Sequence, residues 1–308
     1  MSVSPQVSSE LAGKLAHALA DHVVASLGDV PTVTLWGPDA RRFANGMFTN
    51  NVRDLEPGCS QRTGMTDDRG RLWALAELHA LAADRFRLHL DGQTGEAFAE
   101  RYDTYVVFDD VTIDVDVTPG ATVQGPRAAA VLEAHGLPVP PPGTHAVHDG
   151  SIVVARDRAG LGTGFDLWGP HELPIDPDGD ALISALEVAA GQVRMSDVVK
   201  PGLPHEHGLR GAILHFEKGC YLGQESIHRI DVMGNPRRAL CVVRGDALQA
   251  GPLEADGKVQ GTVTRVGIDD QGARLGLAVL RKPFDGVGAQ LLQGEAVVHV
   301  VGPRLAGG

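Results

Sequence analysis

This 308-residue chain has little cysteine, few aromatic residues and no long apolar run. Its cysteines, Cys59, Cys220 and Cys241, are too few and too far apart for a disulfide framework. They fall one short of the four thiolates that an iron–sulfur cluster takes within one chain, and no Cys-x-x-Cys pair offers a structural zinc site. Nowhere do about 18 apolar residues run together, so no transmembrane helix is expected. The N-terminus lacks a basic segment leading into an apolar core, so no secretory signal is expected and the chain reads as cytoplasmic. Positive charge is also scarce. Lys and Arg number 27 against 39 Asp and Glu, a net charge of −12, which argues against a general nucleic-acid binder. A small anion held by a few local arginines stays possible.

What is present is an ordinary globular composition, 43% hydrophobic and 21% charged, in a chain long enough for two or three domains. Residues 9–27 carry apolar side chains at helical spacing, with Ser8 or Ser9 as N-cap and Gly28 as the stop; residues 1–8 read as loose. A strand over 33–36 enters Gly37-Pro38-Asp39, where Asp39 is placed to cap a helix. Residues 58–64, 72–81 and 85–90 read as strands, the last alternating Phe86, Leu88, Leu90. Helices are expected over 95–105, 128–135 and 181–191, and strands over 111–117, 151–156 and 165–168. The run Gly160-x-Gly162-x-Gly164 leads into a strand and not a helix, so it is no dinucleotide fingerprint. Beyond Pro236 short strands alternate with glycines (240–243, 261–266, 274–279, 296–301), the pattern of a small barrel or sandwich. Strands outnumber helices without alternating regularly with them. The fold class expected is α+β with antiparallel sheets, divided into residues 1–240 and a C-terminal β-barrel over 241–308.

The densest stretch is Lys218-Gly219-Cys220-Tyr221-Leu222-Gly223-Gln224-Glu225. Residues 211–216 read as a short strand, and a helix can begin at Gln224. Cys220 then sits in a strand-to-helix elbow, where free amides, the helix dipole and Lys218 favour a thiolate. Gly219 and Gly223 permit positive φ and close approach of a ligand. The histidines nearby invite a metal site, but His205 and His207 lie two apart and no His-Glu-x-x-His occurs, so none is expected. Asp67-Asp68 lacks the rest of a calcium loop.

The stretch from Lys218 to Glu225 resembles the signature of the YgfZ family, folate-binding proteins related to the glycine-cleavage T-protein. Pro204, Glu206, Leu209 and Phe216 before it, and Arg229, Gly234, Arg237 and Arg238 after it, fit the same pattern. Leu35 to Phe43, Gly46 and Thr49-Asn50-Asn51-Val52 resemble the opening of T-proteins. The resemblance implies three domains around a central hole, the first two interleaved in sequence, with folate in or beside the hole. It also implies tetrahydrofolate or a derivative as cofactor, and iron–sulfur proteins as clients.

Three readings follow. One is a folate-binding protein that assists iron–sulfur cluster assembly or repair, with Cys220 as its reactive thiol. Lys218, Gly219, Tyr221, Gly223, Gln224, Glu225 and Arg229 would then surround the cofactor. Another is an aminomethyltransferase acting with tetrahydrofolate. The residues at the positions of the T-protein aspartate and pterin-binding glutamate are Ala74 and Gly162, which offer no side-chain acceptor. The last is an interaction module in which Cys220 is structural. Whether the chain is an enzyme stays open at this point.

Overall fold

The structure is a computed structural model that describes residues 5–303, except Ala159 and Asn235; side chains are described from residue 10 to 302. In chain order the first half holds α1 (Pro5–Ala20), β1 (Val23–Trp36), α2 (Ala40–Met47), β2 (Ser60–Thr66), β3 (Leu72–Ala82), β4 (Arg85–Asp91), α3 (Gly95–Asp103) and β5 (Thr112–Gln124). It continues through α4 (Ala128–Ala134), β6 (His145–His148), β7 (Ser151–Ala155), β8 (Gly164–Trp168), α5 (Gly179–Ala189), α6 (Arg210–Ile213) and α7 (Gln224–Met233). The last part is all strand: β9 (Arg238–Arg244), β10 (Gly251–Ala255), β11 (Lys258–Ile268), β12 (Arg274–Arg281), β13 (Gln290–Gln293) and β14 (Ala296–Pro303).

Eight strands form one antiparallel sheet in the order β2-β3-β4-β1-β5-β8-β7-β6. Its spine is the pairing of β1 with β5, which runs from Val23 opposite Gln124 to Trp36 opposite Thr112. Both strands are long enough to serve two halves, β4 joining one end of β1 and β8 joining one end of β5. This is how two interleaved units arise. The sheet curls until its two edges touch. Cys59 bridges Thr144, Ser60 N donates to Gly143 O at 2.8 Å, and His145 N donates to Gly58 O at 2.8 Å.

The two-residue period of a strand then gives each half an outer apolar face. Ala74, Ala76, Leu78, Phe86 and Leu88 pack outward against Phe43, Phe48, Phe98 and Tyr102 of and beside α2 and α3. In the other half Val123, Val153, Phe165 and Leu167 pack outward on Ala128 and Leu132 of α4. The alternate residues of β2, β3, β4, β7 and β8 face inward. The remaining six strands close into a barrel, β10-β11-β12-β9-β14-β13, filled by Cys241, Val243, Leu253, Val263 and their neighbours. Helix α5 joins barrel and sheet, with Leu182, Ile183 and Leu186 packed among Leu15, Ala25 and Ile268.

Several expectations need correction. The N-terminal helix starts at Pro5 and stops at Ala20, so residues 5–8 are helical and Val23 to Leu27 belong to β1. Val23 and Val24 are β-branched, and pairing with β5 overrides a helical spacing. Gly28 marks the register shift in that pairing, at φ +68°, and ends no helix. Residues 1–4 and the Ser8 and Ser9 side chains lie outside what is described. Asp39 precedes α2, but its carboxylate makes no cap bond and accepts the Asp110 amide at 2.9 Å. Residues 211–216 form no strand: one helical turn, α6, is followed by loop.

Candidate functional site

The stretch from Lys218 to Glu225 is a loop that docks on two earlier segments. Lys218 is buried, 1% exposed, and its ammonium donates to Asn45 O at 2.5 Å and to Phe48 O. These are carbonyls at the C-terminus of α2, where four acceptors lack helical partners and a cation is favoured. The ammonium also lies 4.8 Å from the centre of the Tyr221 ring. Burial pushes the Lys218 amine down to about 7. Around it, Asn45 Nδ2 donates to Lys218 O at 3.3 Å, Leu222 N to Gly46 O at 3.1 Å, and His215 N to Thr49 O at 3.1 Å. Thr49 and Thr66 hydroxyls donate to Ile213 O at 2.6 Å and Leu222 O at 2.7 Å.

The glycines take the conformations expected of them, φ +93° at Gly219 and +83° at Gly223. A Cβ on Gly223 would sit 2.3 Å from Asp67 O, so the loop lies directly on the 67–71 turn. Gln224 turns back, its Oε1 accepting the Tyr221 amide at 3.1 Å. Tyr221 is buried, while Gly219, Cys220, Glu225 and Arg229 are exposed. Cys220 therefore sits on an exposed loop three residues before the Gly223 cap of α7, not in a strand-to-helix elbow. The ammonium expected beside the thiol is instead buried under α2. Cys241 is buried in the barrel, and burial pushes its thiol up to about 12.

The inward faces of the curled sheet line a partly open cavity of about 260 Å³. Four arginines line it, Arg62, Arg156, Arg158 and Arg194, with Asp29, Glu77 and Asp91, and with His89 and Trp168. Glu77 on β3 lies 3.2 Å from Arg156 Nε and 3.8 Å from Arg62 Nε, tying opposite walls together. Burial opposes the Glu77 charge, but Arg156, Arg62 and Arg158 outweigh it and hold the carboxyl below its usual range. Arg158 is locked by Asp166 through bonds of 2.7 and 2.8 Å. Burial, then the charge of Arg156, push Arg62 down to about 10. Burial raises Asp91, which accepts the Met195 amide at 2.7 Å. Among the described residues, two buried nitrogens on wall residues, His89 Nε2 and Trp168 Nε1, have no hydrogen-bond partner, and Arg156 Nε has only its ion pair with Glu77.

None of the residues expected around a cofactor, Lys218, Gly219, Cys220, Tyr221, Gly223, Gln224, Glu225 and Arg229, lines this cavity. Arg237 and Arg238 line a separate basic groove with Lys200, Arg281 and Lys282. Ala74 is sealed in the outer apolar cluster, and the cavity side of β3 carries Leu75 and Glu77. Gly162 sits in an exposed turn, its amide held by Asp157 at 2.7 Å. Sequence reasoning missed Arg62, Glu77, His89, Arg156 and Trp168. For His89 the signal was the polar face of β4 (Arg87, His89, Asp91), which reads as solvent-facing until the sheet curls. Among the described residues no group of His, Cys, Asp and Glu is arranged to hold a metal, and no helix is long and apolar enough to cross a membrane.

No family model matches the chain. It is 22% identical over 251 residues to an uncharacterized protein of Haemophilus influenzae, covering 78% of this chain and 82% of that one. It is 26% identical over 240 residues to the tRNA-modifying protein YgfZ of Cronobacter sakazakii, covering 71% and 70%. To the protein of that name in Serratia proteamaculans it is 28% identical over 242 residues, covering 72% and 71%. The solved glycine cleavage system aminomethyltransferase T of Bartonella henselae matches with a TM-score of 0.83 over 97% of this chain and 89% of that one, at 18% identity. The chain has the YgfZ- and T-protein-like fold.

Proposed function

We propose that this chain is a YgfZ-type protein that binds a reduced folate in the central cavity and supports iron–sulfur cluster assembly or repair, with Cys220 as its reactive thiol. The observation that carries the reading is the wall of that cavity. A pterin is flat, with donors and acceptors around its rim, and the glutamate tail is an anion. The unpartnered nitrogens of His89 and Trp168 are what such a rim satisfies, since buried polar atoms otherwise go unpaired at a cost. Arg62 and Arg156 share the single carboxylate Glu77, so they are the guanidinium groups with room for an anion, and a guanidinium fork suits a carboxylate. The volume matches a ring system, with the tail directed toward the opening. The motif loop serves differently in this reading: it fixes the α2 corner and presents Cys220 at the surface, where a client protein can reach it.

The aminomethyltransferase reading has the fold likeness in its favour. Against it stand Ala74, buried in the wrong face of β3 for a cavity group, and Gly162 in an exposed turn.

The test is calorimetric titration of 5-formyltetrahydrofolate into the wild type, Trp168→Ala, Arg156→Met and Cys220→Ala. Binding is expected in the wild type, weakened about tenfold or more by either cavity substitution and unchanged in Cys220→Ala. Cells complemented with Cys220→Ala are expected to lose iron–sulfur enzyme activity. No heat of binding with any reduced folate sinks the reading; turnover of the glycine-cleavage intermediate replaces it with the transferase.

A further inference from the structure

A run of hydrogen bonds leads from the central cavity to the seam where the two edges of the sheet meet. Its inner end is His89, 2% exposed, whose ring stacks on Trp168 with centroids 4.4 Å apart and planes 15° from parallel. His89 lines the cavity, and its Nε2 has no hydrogen-bond partner among the described residues. Its Nδ1 lies 3.0 Å from Nε2 of His79 on β3. Nδ1 of His79 lies 2.7 Å from Oγ of Ser60 on β2, and that oxygen lies 2.9 Å from Nδ1 of His145. His145 opens the edge strand β6 and is partly exposed. The curl makes this run possible, because it sets the β2 edge against the β6 edge.

A neutral imidazole has one N–H and one lone pair. Burial holds both His79 and His89 below the ordinary histidine range, and their charged neighbours are Glu77 and Arg87. Three neutral rings joined through a hydroxyl that accepts from one ring and donates to the next can be ordered in only two ways. In one, His145 Nδ1–H donates to Ser60, Ser60 to His79, and His79 Nε2–H to His89, so that His89 presents Nε2–H to the cavity. In the other every donor is reversed, and His89 presents a lone pair. The unpartnered nitrogen in this run is Nε2 of His89, the ring that lines the cavity.

We propose that Ser60, His79, His89 and His145 form a proton relay between the central cavity and the protein surface, with His89 Nε2 as its inner terminus. The relay rests on the reading that a folate ring occupies the cavity. When Nε2–H gives its proton to an acceptor there, His89 Nδ1 takes the proton of His79 Nε2. His79 Nδ1 takes the Ser60 hydroxyl proton, Ser60 Oγ takes that of His145 Nδ1, and His145 Nε2 takes one from water. Every group ends neutral, with one proton moved from solvent to the cavity.

The two ends are therefore coupled, and nitrogen-15 NMR of labelled histidines reads the coupling directly. In wild-type protein, 5-formyltetrahydrofolate is expected to change the protonated nitrogen of both His89 and His145. In Ser60→Ala, where His79 Nδ1 loses its proton source, both tautomer changes are expected to vanish while calorimetry still shows binding. A His145 response that survives Ser60→Ala, or a His145 that stays silent while His89 responds, overturns the relay. Binding is followed separately by calorimetry. If no folate binds, the folate reading fails and the relay is judged on the free protein. There, His89 and His145 are expected to carry their protons on opposite nitrogens, Nε2 on one and Nδ1 on the other, and the same nitrogen protonated on both overturns the relay.

Discussion

Lys218 would be read from sequence as a charge beside a thiol, yet its ammonium closes the end of α2. Removing it leaves the Asn45 and Phe48 carbonyls without that donor in a buried place. Lys218→Met, which keeps most of the side-chain volume, is expected to cost about 1–3 kcal/mol in urea unfolding. A change within error would show that the cap contributes nothing. The thiols separate as cleanly. An aromatic disulfide reagent added to folded protein is expected to label Cys220 and to reach Cys241 only after denaturation, because Cys241 is buried and burial raises its thiol. Peptide mapping of the labelled chain checks this, and early labelling of Cys241 would contradict the barrel packing.

At the scale of elements, the motif loop is held by shape as much as by bonds. Gly223 has φ +83°, and its position lies 2.3 Å from Asp67 O once a Cβ is added. Gly223→Ala is expected to destabilise by about 2 kcal/mol or more through strain and backbone displacement, measured by thermal unfolding. Strands β3 and β4 carry their own pH dependence. His79 is pushed down to about 3 in the fold, from 6.5 when unfolded. A base kept neutral by the fold takes up its proton only on unfolding. Stability is thus full above pH 6.5 and falls as the pH drops toward the folded value, by about 1.4 kcal/mol per unit for His79. Urea unfolding at pH 6.5 and 4.5 should give a slope shallower by that amount in His79→Asn. Equal slopes would place the His79 ring in water.

At the scale of the molecule, the barrel is tied to the sheet through Glu187 on α5. This carboxylate is 2% exposed and receives Arg265 of β11 at 2.5 Å, Arg194 at 2.6 Å and Arg158 at 3.4 Å. Arg265 also holds Asp197 at 2.9 Å. Arg265→Met removes the barrel's share and leaves two buried carboxylates short of a partner, an expected loss of about 3 kcal/mol or more. Differential scanning calorimetry of the intact chain checks it; an unshifted transition would mean that the barrel does not depend on this pair.

Much of this molecule is written locally. Strand alternation in β4, the glycine-separated strands of the barrel, and the positive φ at Gly219 and Gly223 follow from residue type alone, because side-chain period and the absence of a Cβ act over a few residues. The likeness to YgfZ and T-proteins came from two short stretches, and the folded chain brings them together as Lys218 meets the end of α2. What the residues could not tell was which polar faces see water. Arg62, Glu77, His79 and His89 alternate with core residues as solvent-facing side chains do. Only the curl of the sheet, which sets β2 beside β6 some 85 residues away, encloses them. Whether a strand's second face is a surface or a cavity wall depends on contacts far apart in sequence, so local pattern fixes the faces and tertiary closure assigns their surroundings.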